Sequence, residues 1–542
     1  MNNRSIEAGL TRVLKGSKIA AIDKKAINDG INSKLLMKNA GSSVSKEILS
    51  DYENKELNRT ARGVVICGSG NNGGDGLVAA GDLLDYGMRI SVFLIFPEDK
   101  FRPDSEFYFK ELQENRRESI HNLSSGDKNL KSFFQEELEE ADFMIDAIFG
   151  TGIHGKDVYG PSKEIIEIIN LVREKNKNLN IYSVDIPSGI DSDNGKVLGL
   201  SVKADKTITF GCKKVGLVNY PGASFAGKVR VADIGIPEKY FSRYEKIYEP
   251  DMQWIADKIP VREPWTYKYK VGSLMVIAGS SGFTGAASMT CMSALRAGAG
   301  VVTLVCPWEL NNVFEEKLTE VITYPVEQTE DISLHINSLD EIIELSDRFN
   351  ALAIGPGLSR NSSTICLVRE LLKKIKKPLV LDADGLYALY GPQDAEENIK
   401  DFDLENVIVT PHTGEMSLMM GLGKVPLEDR IKINLEAAKK YKVTSVLKGA
   451  RTIVSDYNKK TFINPTGNWG LASAGTGDIL TGIIGSLLCQ GMSLMESAVS
   501  GVYIHGLAAD IMVKETSRTS LTATDLLEGI KRVFLEIEKI KY

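Results

Sequence analysis

Twice along the 542-residue chain, short β-branched runs alternate with stretches whose apolar residues recur at helical spacing. That double alternation is the sequence form of parallel-sheet α/β architecture. In the first half the strand candidates are VVICGSG (64–70), ISVFLIF (90–96), ADFMIDAIFG (141–150), IYSVDIPSG (181–189) and KVRVADIG (228–235). Between them GLVAAGDLLDYG and PSKEIIEIINLVREK carry helical patterns. The second half starts afresh with SLMVIAGSSG (273–282), VVTLVCP (301–307), ALAIGPG (351–357), PLVLDADG (378–385), NVIVTPHTGE (406–415), VTSVLKG (443–449) and RTIVSD (451–456). It closes on helical patterns alone, GDILTGIIGSLLCQG, LMESAVSGVYIHGLAADIMV and TATDLLEGIKRVFLEIEKI.

Between the halves, EKYFSRYEKIYEPDMQWIADKIPVREPWTYKYK has prolines at 250, 260 and 264 and no clear strand. It reads as a connection, giving a first domain over 1–240, a linker over 241–265 and a second domain over 266–542. The length allows two to four domains, and 43% hydrophobic with 25% charged residues is the composition of a soluble globular chain.

A net charge of −7 with no basic stripe argues against nucleic acid as a partner. Six dispersed cysteines form no C-x-x-C pair and have few histidines nearby, so they read as reduced thiols in a cytoplasmic protein. The N-terminus lacks an apolar signal core, and no segment approaches the roughly 18 unbroken apolar residues of a membrane span.

The stretch NPTGNWGLASAGTGDILTGIIGSLL (464–488) places Gly475, Thr476 and Gly477 just ahead of an apolar helix. Unpaired N–H groups at a helix start make such a loop an anion cradle. It is no Walker A loop, since no lysine follows the glycines. Asp478 then has two readings. It caps its helix, which stabilises by about 1 kcal/mol, or it accepts the proton of a hydroxyl that attacks a phosphoryl group steadied by the loop N–H groups.

Residues 464–490 resemble the signature of the ADP- or ATP-dependent NAD(P)H-hydrate dehydratases, a branch of the ribokinase-like superfamily. GSLMVIAGSSGFTGAA, RAGAGVVTLVCP, IGPGLSR, LDADGL, TPHTGEM and LKGARTIV are similar to other motifs of that family, in the same order. The resemblance implies a ribokinase-like α/β domain in which Asp478 is the catalytic base. It further implies that Gly475, Thr476, Gly477 and the segment Lys448, Gly449, Ala450, Arg451, Thr452 bind adenine nucleotide, and that Ala286, Gly357 and His412 contact the hydrated dinucleotide. On the residues alone, Ala286 and Gly357 also suit packing and turns, and His412 suits a turn cap.

In the first half, Gly68, Gly70 and Gly73 satisfy G-x-G-x-x-G between a strand and a helix, but Asp75 stands where a dinucleotide's pyrophosphate would sit. Asparagine and aspartate oxygens suit alkali or alkaline-earth cations, one of which would offset Asp75 and its neighbours. GSGNNGGDGLVAA, DAIFGTGIHGK and SVDIPSGIDSDNG together resemble the NAD(P)H-hydrate epimerase family, from about Lys18 to Pro237. That resemblance implies a Rossmann-like three-layer sandwich with potassium held by Asn72, Asp146 and Ser188. Substrate would be bound by Asn71, Asn72, Gly73, Gly74 and Asp75, by Gly150, Thr151, Gly152, Ile153, His154, Gly155 and Lys156, and by Asp185. Asp185 is the candidate for proton transfer, or else it orients loop backbone. Two positions depart from the family pattern: Ser69 replaces an asparagine and Lys38 a glutamate.

Together the resemblances imply one repair pathway. The first domain epimerises R and S hydrates of NADH and NADPH. The second dehydrates the S form at the expense of ADP, with magnesium, yielding AMP and phosphate. Small molecules are the implied partners, and a homo-oligomer is expected. Two rival readings are a small-molecule kinase sharing the G-T-G-D loop and a first half that binds a dinucleotide without catalysis.

Overall fold

A computed structural model describes residues 7–52, 61–125, 127–153, 155–244, 246–391 and 402–542. The chain forms two compact units, one over Thr11–Glu245 and the other over Glu7–Leu10 with Lys246–Tyr542. Among the described residues no helix is long and apolar enough to cross a membrane.

The first unit runs β1 (Leu10–Leu14), α1 (Gly16–Asn28), α2 (Ser33–Tyr52), β2 (Arg62–Cys67), α3 (Asn71–Tyr86), β3 (Arg89–Leu94), α4 (Pro103–Arg116) and β4 (Ile120–Asn122). It continues through α5 (Lys128–Glu139), β5 (Phe143–Ala147), α6 (Pro161–Lys175), β6 (Asn180–Val184), β7 (Lys206–Phe210), β8 (Lys213–Lys214), α7 (Val215–Val218) and β9 (Lys228–Ala232). Seven strands form a wholly parallel sheet in the order β4-β3-β2-β5-β6-β7-β9. Alternate residues of β2 divide between two cores. Val65 and Cys67 pack with Ile48 of α2 and Leu77 of α3, while Val64 and Ile66 pack with Phe134 of α5 and Ile165 of α6. Burial on both faces follows from the side-chain period of two and gives the three-layer sandwich.

The second unit runs β10 (Lys246–Pro250), α8 (Met252–Lys258), α9 (Lys268–Val271), β11 (Ser273–Ile277), α10 (Thr284–Arg296), β12 (Val301–Pro307), α11 (Asn311–Lys317), β13 (Ile322–Val326), α12 (Leu339–Ser346), β14 (Ala351–Ile354) and α13 (Ser362–Lys374). There follow β15 (Leu379–Leu381), α14 (Tyr387–Tyr390), β16 (Val407–Val409), α15 (Thr413–Met420), α16 (Arg430–Tyr441), β17 (Thr444–Leu447), β18 (Ile453–Ser455), β19 (Lys460–Ile463), α17 (Thr476–Cys489), α18 (Leu494–Met512) and α19 (Ala523–Lys541). Its strands lie in the order β13-β12-β11-β14-β15-β16-β17-β18-β19-β10, antiparallel only at β17-β18-β19. Helices α10, α17, α18 and α19 cover one face, and α12 and α13 the other.

The passage read as a connection is itself folded. β10 pairs in parallel with β19, Asp251 caps α8 by accepting from Trp254 N at 3.0 Å, and Trp254 is 2% exposed in the second unit's core. The strand is inconspicuous because its partner lies some 200 residues further along the chain and its last residue is proline. β1, β4, β7, β13 and β19 likewise form without having been expected as strands.

In both sheets the order reverses once, between β2 and β5 in the first and between β11 and β14 in the second. Loops leaving the carboxyl ends of such strands diverge and open a crevice. Gly150 to Ile153 and Gly357 stand on those loops and Asn71 to Asp75 open the helix after β2, while Asp185 follows β6, His412 follows β16, Lys448 to Thr452 follow β17 and Asp478 lies in α17.

Candidate functional site

In the first unit the glycine loop after β2 and the loop after β5 pack backbone to backbone. A Cβ on Gly68 would lie 2.0 Å from Ile148 O, and one on Gly73 would lie 1.8 Å from Gly68 O. Gly74 is equally confined, by Met37 Sδ at 2.6 Å. A cavity of about 750 Å³ opens beside them, lined by Asn71, Asn72, Asp75, Gly150, Thr151, Gly152, Ile153 and Asp185. Gly73 and Gly74 serve the packing behind this wall, Gly155 and Lys156 are exposed away from it, and His154 lies outside the described residues.

Asp146, fully buried at the end of β5, accepts from Ser183 Oγ at 2.8 Å, Ser188 N at 2.9 Å and Ser188 Oγ at 2.5 Å. Burial pushes its carboxyl up despite these bonds. Asn72, 8% exposed, leaves its Nδ2 without a partner, and Gly150 stands against its side-chain oxygen. Asn72, Asp146 and Ser188 offer hard oxygens, and among the described residues no side-chain cation pairs with Asp146, a donor set that fits potassium.

Asp185, just past β6, has φ +66°, a strained region for a residue with a side chain. Its Oδ1 accepts from Lys214 Nζ, from Thr209 Oγ1 at 3.2 Å and from Phe210 N at 3.2 Å. The Lys214 side chain is 0% exposed. Neither Lys214 nor Asp23, which also lines the cavity, stands out in the sequence. Lys38, the charge reversal in α2, pairs with Asp82 of α3 at 2.8 Å, and Ser42 and Ser45 donate to the other Asp82 oxygen. Its new charge is thereby answered locally.

In the second unit, Gly475 takes φ +87° as the residue before α17, and Asp478 sits at the third helical position. Gly475 is the N-cap residue, and the Asp478 carboxylate makes no hydrogen bond to the helix it begins. Next to it lies a buried ion pair. Asp382, 1% exposed at the end of β15, accepts from Lys448 Nζ at 2.6 Å and from Thr481 Oγ1 at 2.6 Å. Against the cost of burial, the Lys448 ammonium holds Asp382 below the usual carboxylate range. Burial, then the Asp382 charge, push Asp478 up to about 7, with Lys448 opposing. A Cβ on Gly477 would stand 3.6 Å from Lys448 Nζ, so glycine keeps the ammonium open to the loop. His505, buried and kept neutral down to about 4 chiefly by burial, meets Thr476 O at 2.9 Å and fixes the loop from behind.

Gly357 (φ +62°) and Ala286 face each other across the crevice, since a Cβ on Gly357 would come within 3.3 Å of the Ala286 Cβ. His412 caps α15: its Nδ1 accepts from Gly414 N at 3.0 Å and Glu415 N at 3.2 Å, while Glu415 returns a bond to its N–H. Of the KGART segment, only Lys448 joins the carboxylate cluster. Ala450 O accepts from Arg430 at 2.5 Å, Thr452 Oγ1 donates to Gly449 O at 2.9 Å, and Arg451 pairs with buried Glu249 at 2.6 Å. Asp382 and Glu415 belong to the cluster but carried no role in the sequence reading. LDADG and TPHTGEM mark where they lie, though nothing local distinguishes which acid pairs with Lys448.

A family model described as NAD(P)H-hydrate dehydratase matches residues 274–532, and one described as YjeF-related protein N-terminus matches residues 33–216. The bifunctional NAD(P)H-hydrate repair enzyme of Moorella thermoacetica is 36% identical over 515 residues, covering 94% of each chain. That of Thermofilum pendens is 34% identical over 527 residues, covering 96% of each. A solved ADP/ATP-dependent NAD(P)H-hydrate dehydratase from Bacillus subtilis, co-crystallised with ATP and Mg2+, is 28% identical, covers 53% of this chain and 97% of its own, and has a TM-score of 0.44.

Proposed function

The chain belongs to the family of bifunctional NAD(P)H-hydrate repair enzymes, with both the epimerase and the dehydratase domain, and from that premise we propose how its residues divide the work. Asp478 takes the proton of the S-hydroxyl as that oxygen attacks the terminal phosphoryl group of ADP. The N–H groups of 475–477 and the Lys448 ammonium stabilise charge on the transferring oxygens. AMP departs, and the phosphorylated hydroxyl leaves as phosphate, driven by the ring-nitrogen lone pair. Loss of a proton from the neighbouring ring carbon restores the dihydropyridine.

One observation carries this reading: Asp478 is unbonded to its own helix and lifted to about 7 beside an ion pair. A base matched to neutral pH is what a hydroxyl nucleophile requires. Magnesium supplies charge neutralisation on the nucleotide phosphates when bound.

In the first unit, Asp185 accepts and returns protons at the hemiaminal carbon during epimerisation. Its Oδ1 is anchored by three donors, while no donor among the described residues reaches its Oδ2. Asn72, Asp146 and Ser188 would hold potassium, which supplies the positive charge that the buried Asp146 lacks. Gly150 to Lys156 and Asn71 to Asp75 would bind substrate. Ala286, Gly357 and His412 would do so in the second unit, and Lys448 to Thr452 would bind the nucleotide. The setting in this reading is the cytoplasm, with the chain as a homo-oligomer.

Asp478→Asn tests the core of the proposal. Nucleotide-dependent recovery of NADH from its S hydrate falls about a thousand-fold, while R/S interconversion persists. Retained recovery would remove Asp478 as the base.

A further inference from the structure

The cavity of the first unit holds more carboxyl groups than its one ammonium can pair. Asp23 of α1, Asp75 of α3 and Asp185 all line it, together with Lys214. An ammonium has three N–H donors. Those of Lys214 go to Asp185 Oδ1, Thr209 Oγ1 at 2.9 Å and Phe210 O at 3.0 Å. No donor among the described residues reaches the carboxyl of Asp23 or Asp75. Lys214 therefore answers the charge of Asp185 alone, and Asp23 and Asp75 share the cavity without a cation of their own among the described residues. Of those, Asp75 is buried at 8% exposure, whereas Asp23 is partly open.

Resting on the epimerase reading above, we propose that Asp23 is a second catalytic residue of the interconversion, the acid that protonates the departing ring hydroxyl, with Asp185 as the base for the returning water. The two carboxyls reach the cavity from different elements, α1 and the turn after β6. The C–O bond breaks as the ring-nitrogen lone pair forms C=N, and the Asp23 proton leaves with the oxygen as water. Water then adds to the opposite face of the same carbon, the C=N pair returns to nitrogen, and the proton released goes to Asp185. Solvent resets the two carboxyls, and in the reverse direction their roles exchange.

Burial and then the Asp185 charge raise Asp23 to about 6, with Lys214 opposing, which is near the range where acid catalysis is efficient. Burial, then the Asp185 and Asp23 charges, lift Asp75 well above the usual carboxylate range, with Lys214 opposing.

The test is Asp23→Asn in the full chain, which keeps the shape and removes the transferable proton. R-to-S interconversion falls about a hundred-fold in kcat, with KM little changed. In the unaltered chain the rate declines as pH rises through about 6, where Asp23 loses its proton, and this decline is absent from the residual rate of the variant. Asp23→Glu, retaining an acid on a longer arm, regains part of the rate, which a purely structural loss would not allow. A D23N rate equal to that of the unaltered chain, or a decline that persists in the variant, overturns the proposal. An unaltered chain that does not exceed uncatalysed interconversion overturns the epimerase reading itself, and this proposal with it.

Discussion

Each unit contains a buried lysine bound to one aspartate beside others that it leaves unpaired, and the two units use that arrangement in opposite ways. Lys448 is joined to Asp382, and the unpaired Asp478 is the proposed base. Lys214 is joined to Asp185, and there the paired residue is the proposed base, with the unpaired Asp23 as the proposed acid. Phosphoryl transfer needs a single base that takes one proton near neutrality. Epimerisation needs hydroxyl to leave one face and return on the other, and therefore two groups, one giving a proton while the other takes one. What separates the sites is thus the division of protons between carboxyls rather than the kind of residue present.

The largest effect that would break this comparison is at Asp185. Asp185→Ala slows interconversion about a hundred-fold and leaves recovery from pure S hydrate intact, as followed by chromatographic resolution of the epimers. Unchanged interconversion would mean that Asp185 only orients its loop. A smaller effect is expected at Asp382. Asp382→Asn removes the negative charge that raises Asp478, so the low-pH limb of the dehydration rate moves below about 7. The signs agree, because a base with lower proton affinity remains ionised to lower pH. A limb that does not move would separate the ion pair from the base. The variant also leaves Lys448 buried without its partner, so its unfolding temperature drops.

The smallest effect belongs to His412. His412→Ala loses the α15 cap and about 1 kcal/mol of stability and raises KM for the hydrate with kcat little changed, measured by thermal unfolding alongside steady-state rates. A lower kcat without loss of stability would give the ring a part in the chemistry.

The strands at 64–70, 90–96, 273–282 and 301–307 were legible because they lie in sheets buried on both faces, where β-branched residues run almost unbroken. β7, with lysine and threonine in KTITF, and β10, ending on proline, lack that mark and depend on distant partners. The site was legible to the same degree. Asp478 follows two glycines and announces itself, and Asp185 precedes a Pro-Ser-Gly turn. Lys214 and Asp23 sit in ordinary charged surroundings, KK and IDKK, where sequence reading places lysine and aspartate at the surface. Their burial is created by residues far along the chain. For the same reason the KGART motif gave no sign that Glu249, 202 positions earlier, pairs with the Arg451 guanidinium.

The most direct measurement is to give the full chain racemic hydrated NADH with ADP and follow the dihydronicotinamide absorbance to completion. Recovery of both epimers, faster than uncatalysed interconversion permits and with one AMP and one phosphate per NADH, is the predicted result. Recovery that stops at the S fraction, or a stable phosphorylated product without NADH, would contradict the account.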